Sequence, residues 1–155
     1  MSAIAIAQKT ETFCAFEEIE NLIRGFESCA LPRNHWDHKA HLTVACWYLI
    51  CYPEHEAARR IREGIQRYNK AVGIVTNREN GYHETITMFW ASMVKSFLKD
   101  ATLECSIVGL INNLVDRYAN KLLPLEYYSR DLLMSREARF NWVEPDLKPL
   151  PCKGK

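Results

Sequence analysis

Three of the chain's five histidines, His35, His38 and His41, follow one another at three-residue steps. On an α-helix such a step turns about 300°, which leaves successive rings one turn apart and adjacent on the surface. Imidazole is the commonest metal-binding side chain, and two on one turn can chelate. His38, His41, Ala45 and Tyr48 share a helical stripe, so these rings continue an otherwise apolar face. A second group, Tyr82-His83-Glu84-Thr85, stands between a loop and an apolar segment. There His83 shares its stripe with Thr87, Trp90 and Val94, and a partly buried ring needs partners for both nitrogens. Glu84 suits either of two tasks, answering the positive end of a helix or serving as a ligand.

Both groups stand at helix starts. If those helices lie side by side with their starts level, His38, His41 and His83 converge, with Glu84 as a fourth or bridging group. Three protein ligands and an open position form the pattern of a catalytic metal site. Zinc, iron, nickel and manganese all accept such N/O donors, and the spacing does not choose among them. Glu17, Glu18 and Glu20 are candidate outer partners for the ligands. The structural alternative has His35 exposed, with His38 and His41 bonded to carboxylates or backbone.

The elements that must hold these groups are helical. Phe13, Phe16, Ile19, Leu22, Ile23 and Phe26 recur at helical spacing, which predicts a first helix over residues 10–29, broken by Leu31-Pro32. A second helix runs from an Asn34 cap to about Cys51, with Asp37 in its first turn. Pro53 opens a third after a tight turn, with Ala57, Ile61, Ile65 and Tyr68 inward, and Gly73 ends it. A loop over residues 74–80 leads to a fourth helix ending near Lys99. Asp100 is expected to cap a fifth over residues 101–119. Pro124 starts a short sixth through Leu133, and residues 135–140 add one turn. The expectation is an all-α, single-domain bundle of five to six helices over residues 1–155, with short connections. Residues 1–9 and 143–155 read as loosely packed termini, the latter an extended tail. Trp47, Ile61, Ile86, Phe89, Leu110 and Leu114 are the expected core positions, and the second and fourth helices are expected to be neighbours.

Composition narrows the function classes. The 155 residues are 48% hydrophobic and 25% charged, ordinary for a globular domain. A net charge of +1 gives no global field to gather nucleic acid or an anionic membrane, so neither is an expected partner. No apolar run approaches the ~20 residues a membrane helix needs. The six cysteines lack C-x-x-C spacing, and several fall in apolar stretches as small hydrophobes, which fits a reduced, cytoplasmic setting. Phosphate-loop, G-x-S-x-G and H-E-x-x-H patterns are absent.

The segments Trp36-Asp37-His38-Lys39-Ala40-His41-Leu42, Tyr68-Asn69-Lys70-Ala71-Val72-Gly73 and Gly81-Tyr82-His83-Glu84-Thr85-Ile86-Thr87 together form a pattern. It resembles a family of small uncharacterised bacterial proteins with W-x-H-x-A-H-L, R-x-Y-N-x-A-x-G and G-Y-H-E-T motifs. The resemblance spans roughly residues 26–149, including Ala138-Arg139 and Pro145-Asp146-Leu147. It implies a small soluble bacterial protein and carries no activity with it. His35 lies outside the motif. Tyr68, Asn69 and Tyr82 lie inside it and are expected to be ligand-binding residues of the same pocket. The leading expectation is a histidine-rich metal or small-ligand site between helices, in a small metal-dependent hydrolase or oxygen-using enzyme. The alternative is a non-enzymatic small-molecule binding or interaction module with structural histidines.

Overall fold

The computed structural model describes residues 12–101 and 106–151. Among these residues the architecture is all-α and contains no strand. Five longer helices, α1 (Phe16–Glu27), α2 (His38–Cys51), α3 (Glu54–Ala71), α4 (Glu84–Asp100) and α5 (Ile107–Arg117), are followed by three short ones, α6 (Pro124–Tyr127), α7 (Arg130–Leu133) and α8 (Arg136–Phe140). No helix among the described residues is long and apolar enough to cross a membrane.

The bundle is built round α2, which touches α1, α3, α4 and α5. Its sequence explains why: Ala40, Leu42, Val44, Ala45, Cys46 and Tyr48 are buried on several sides, and a helix apolar all round belongs in the centre. Burial also pushes the Cys46 thiol up to about 12, so it packs as an inert hydrophobe. Against α2 lie helices with one apolar stripe each. On α1 this is Ile19, Ile23 and Phe26; on α3 it is Ala57, Ile61, Ile65 and Tyr68. Gly64 on α3 lets the Phe26 ring approach so closely that an added Cβ would stand 3.0 Å from it.

Several helix starts differ from the sequence expectation, each for a local reason. Residues 33–35 form a single 3-10 turn, and Asp37 rather than Asn34 caps α2, its Oδ1 accepting from the Ala40 N–H at 2.9 Å. His35 is thereby left exposed before the helix. Asp100 is the last residue of α4, not the cap of the next helix; Ser106 caps α5 by accepting from the Gly109 N–H. Leu103 and Cys105 lie outside the described residues, as do residues 1–11. The stretch expected as one helix from Pro124 is two single turns. They are separated at Ser129, whose N–H and hydroxyl both donate to the Asp146 carboxylate.

Of the expected core, Ile61, Phe89 and Leu114 are buried, whereas Trp47, Ile86 and Leu110 are only partly covered. The two-residue turn at Tyr52-Pro53 and the α2–α4 contact match expectation. The segment after Phe140 is extended but held: Leu147 N–H donates to Tyr127 O at 2.9 Å, and Leu150 is buried. It is tighter than its proline-rich composition suggests, because backbone groups of α6 and side chains of its neighbours reach it.

Residues 72–83 turn back on themselves between α3 and α4. Gly81 has φ 88°, and a Cβ there would stand 2.6 Å from Thr76 Cα, so both the backbone conformation and the close approach require glycine. Thr76 Oγ1 accepts from the Tyr82 N–H, fixing the fold-back. Its effect is to deliver Tyr82, His83 and a set of loop carbonyls to one end of the bundle.

Candidate functional site

The starts of α2 and α4 open onto one cavity of about 480 Å³. His38 and His41 reach it from α2, His83 from the cap position of α4, and Trp36 and Trp90 supply aromatic walls. Ala45, Ile61, Ile65 and Ile86 line it with apolar surface. Asn69, Tyr82 and Arg139 also border a second groove along α3 that includes Arg67 and Lys70.

Hydrogen bonds fix what each imidazole can do. His41 Nδ1 lies 2.7 Å from the carbonyl of Asp37, one turn back in the same segment. A carbonyl only accepts, so Nδ1 carries the proton and Nε2 is left with a lone pair. The ring packs against Trp36 with centroids 3.8 Å apart. It is densely surrounded by protein yet keeps part of its surface on the cavity. Burial lowers its pKa to about 4, outweighing the Asp37 carbonyl that pulls the other way, with a smaller lowering from His38. At neutral pH His41 is therefore uncharged.

His38 Nε2 donates to the Tyr118 carbonyl at 2.7 Å, which leaves Nδ1 without a partner among the described residues. Its edge meets Trp90, with centroids 4.6 Å apart. His83 differs. Its Nε2 donates to Leu133 O at 2.8 Å, and its Nδ1 accepts from the Ile86 N–H at 3.2 Å, capping α4. Both nitrogens are spent. Burial, the chief influence, lowers its pKa, and the charge of Arg139 adds to this.

Glu84 does not face the cavity. Its carboxylate takes the Arg62 guanidinium at 2.6 and 2.9 Å and the Tyr82 hydroxyl at 2.5 Å, and it lines the groove instead. Burial would raise this carboxyl, but the Arg62 and Tyr82 bonds together hold it below the usual range. Tyr68 is fully buried, its hydroxyl donating to Leu31 O, and borders neither space. Of the residues singled out from sequence, His38, His41, His83, Asn69 and Tyr82 thus meet at the cavity, while Glu84 and Tyr68 do not. Among the described residues, no group of three or more His, Cys, Asp or Glu side chains is disposed round a common metal position. Glu17 and Glu18 are exposed on α1, and Glu18 accepts from the Cys14 N–H.

Two contributors escape sequence reasoning. Trp90 reads as ordinary core, yet it walls the cavity and contacts His38. Arg139, an arginine on a short helix, is 7% exposed. Its only sequence signal is its place within the resemblance. Comparison of the chain with models of protein families, with curated proteins and with solved structures gives no significant match.

Proposed function

We propose that the cavity at the starts of α2 and α4 binds a small organic molecule carrying a ring and a hydrogen-bond donor, with His41 Nε2 as the acceptor. The observation that carries this reading is the state of His41: uncharged, its Nδ1 proton committed to Asp37 O, and its other nitrogen the one remaining for a ligand. Flat aromatic walls and an apolar lining suit a ring, since small-molecule sites are mostly apolar with a few placed polar groups. An unprotonated imidazole in that position can also draw a proton from the donor it binds, which makes His41 the candidate general base if the protein is an enzyme.

The experiment is a titration with 4-hydroxybenzamide, followed by tryptophan emission and by the imidazole ¹⁵N resonances. Binding should move the His41 Nε2 signal and the Trp36 and Trp90 emission, and His41→Ala should weaken it about tenfold, the worth of one good hydrogen bond. Affinity unchanged in His41→Ala would overturn the reading.

A metal-dependent reaction at the same two rings is the second reading. In its favour, His38 and His41 each give one ring N–H to a backbone carbonyl, the outer support usual behind metal-bound imidazoles. A zinc, iron, nickel or manganese ion would then sit on His38 Nδ1 and His41 Nε2, completed by ligand or water. His83 would need to give up the cap of α4 to join it. Stoichiometric uptake of one of these ions by protein lacking a histidine tag, lost in His38→Ala, would move the assignment to this reading.

A further inference from the structure

Arg139 is a buried cation without a buried anion. At 7% exposure it is covered on nearly every side, and no described carboxylate pairs with it; burial alone displaces its pKa, downward. Taking a guanidinium out of water is costly unless an opposite charge answers it. Asp37 and Glu79, the cavity's carboxylates, are not ion-paired with it, and Glu84 in the groove belongs to Arg62.

Three of its five N–H groups are accounted for. Nε donates to Arg78 O at 3.1 Å, and Nη1 donates to Gly81 O and Tyr82 O, each at 3.3 Å. These bonds fix the plane of the guanidinium against the loop that Gly81 folds back. Nη2 has no partner among the described residues. No side-chain nitrogen or oxygen there is both sealed and unbonded, so Nη2 retains access to the open space that Arg139 lines. Asn69 repeats the pattern: 6% exposed, bordering both spaces, with no described partner for its side-chain amide. Two nine-tenths-buried polar side chains with unspent donors thus border the same two spaces. Arg67, Lys70 and Lys121 add positive charge round them.

We propose that Arg139 and Asn69 anchor an anionic group, a carboxylate or a phosphate, on the molecule that occupies the cavity. The guanidinium, already oriented by three carbonyls, presents Nη2 without further ordering, and Asn69 Nδ2 adds a neutral donor. Charge-assisted bonds of this kind are about twice as strong as neutral ones. A tether for the 72–83 loop would need only the three carbonyl bonds, and it explains neither the unanswered charge nor the unspent amide. The inference rests on the small-molecule reading above and adds the ligand's charge to it.

The test compares three probes that share a phenol for His41: 4-hydroxybenzoate, 4-hydroxyphenyl phosphate and neutral 4-hydroxybenzamide. At low salt at least one anion should bind about tenfold or more tightly than the amide, by the usual worth of a charged hydrogen bond. Whichever anion is tighter identifies the group. Arg139→Met should lower anion affinity more than amide affinity and so erase the preference, and Arg139→Lys should keep part of it. Asn69→Ala should lower anion affinity more than amide affinity. Should Arg139→Met fail to fold, the wild-type Arg139 side-chain ¹⁵N resonances decide: displacement by the anion alone supports the proposal, and equal response to all three overturns it. If the amide binds and the anions bind no better, the anion anchor falls and the cavity reading stands. If none of the three binds, both fall.

Discussion

Burial holds His41 at a pKa of about 4, against 6.5 for a free imidazole, so between these values the unfolded chain binds a proton that the native state excludes. The stability tied to a neutral ring is therefore complete above about pH 6.5 and declines as pH falls toward 4. His83, also lowered by burial, acts with the same sign. Urea unfolding at pH 7 and pH 5 should show a loss of about 2 kcal/mol from His41, at about 1.4 kcal/mol per pKa unit. In His41→Asn an uncharged amide replaces the titrating ring, and the loss should shrink to the residue left by other groups. Parallel pH slopes in the two proteins would assign the titration elsewhere. At this scale the sequence shows which side chains share a face, because spacing alone sets that. It does not show that His38 ends on Tyr118 O and His83 on Leu133 O, 80 and 50 residues away. A backbone carbonyl is the same at every position, so no residue type announces it.

Between α1 and α3 the contact is close enough for one methyl group to register. Ala in place of Gly64 would gain about 1 kcal/mol of helix propensity. The new Cβ would stand 3.0 Å from the Phe26 ring, which is fully buried and stacked on Trp36 with centroids 4.7 Å apart. A fully buried ring stacked on its neighbour has little room to yield, and overpacking costs typically about 1–3 kcal/mol, so Gly64→Ala should be net destabilising in denaturant. A gain in stability would mean that Phe26 can shift. On α5, Leu114 is fully buried and Leu114→Ala should cost about 2–5 kcal/mol, whereas Leu110→Ala should cost clearly less. Equal losses would show that both leucines seat alike. The existence of the five longer helices is legible, since periodicity survives any packing. Ends were less so: Asn34 and Asp100 are as good caps by type as Asp37 and Ser106, and only the path of the chain decides which side chain meets a free N–H. Leu110 illustrates the same limit, because a stripe of apolar residues is wider than the strip that a neighbouring helix covers.

The molecule is closed by its C-terminal third, which brings Arg139 to the cavity from a short, polar helix that could not fold alone. One of the ties between that third and α4 is Thr85, fully buried in the first turn. Its hydroxyl donates to Asn141 O at 2.7 Å and accepts from the Val143 N–H at 3.2 Å, so one side chain satisfies both backbone groups where α8 gives way to the extended segment. Thr85→Val preserves shape and removes only the hydroxyl. It should nonetheless destabilise by about 1–3 kcal/mol, because a carbonyl and an N–H are left without partners. The loss should also be local. Tyr128 still donates to Val143 O, and Ser129 still binds Asp146, so the segment stays attached downstream while α8 loosens. Hydrogen exchange in Thr85→Val should therefore accelerate at the amides of α8 and leave α2 protected. Since Arg139 rides on α8, any preference for an anionic probe should weaken in step with that exchange. Uniform acceleration across α2 and α8 would instead mean that the C-terminal third and the bundle open as one unit, and that Thr85 contributes to the whole fold rather than to the placement of Arg139.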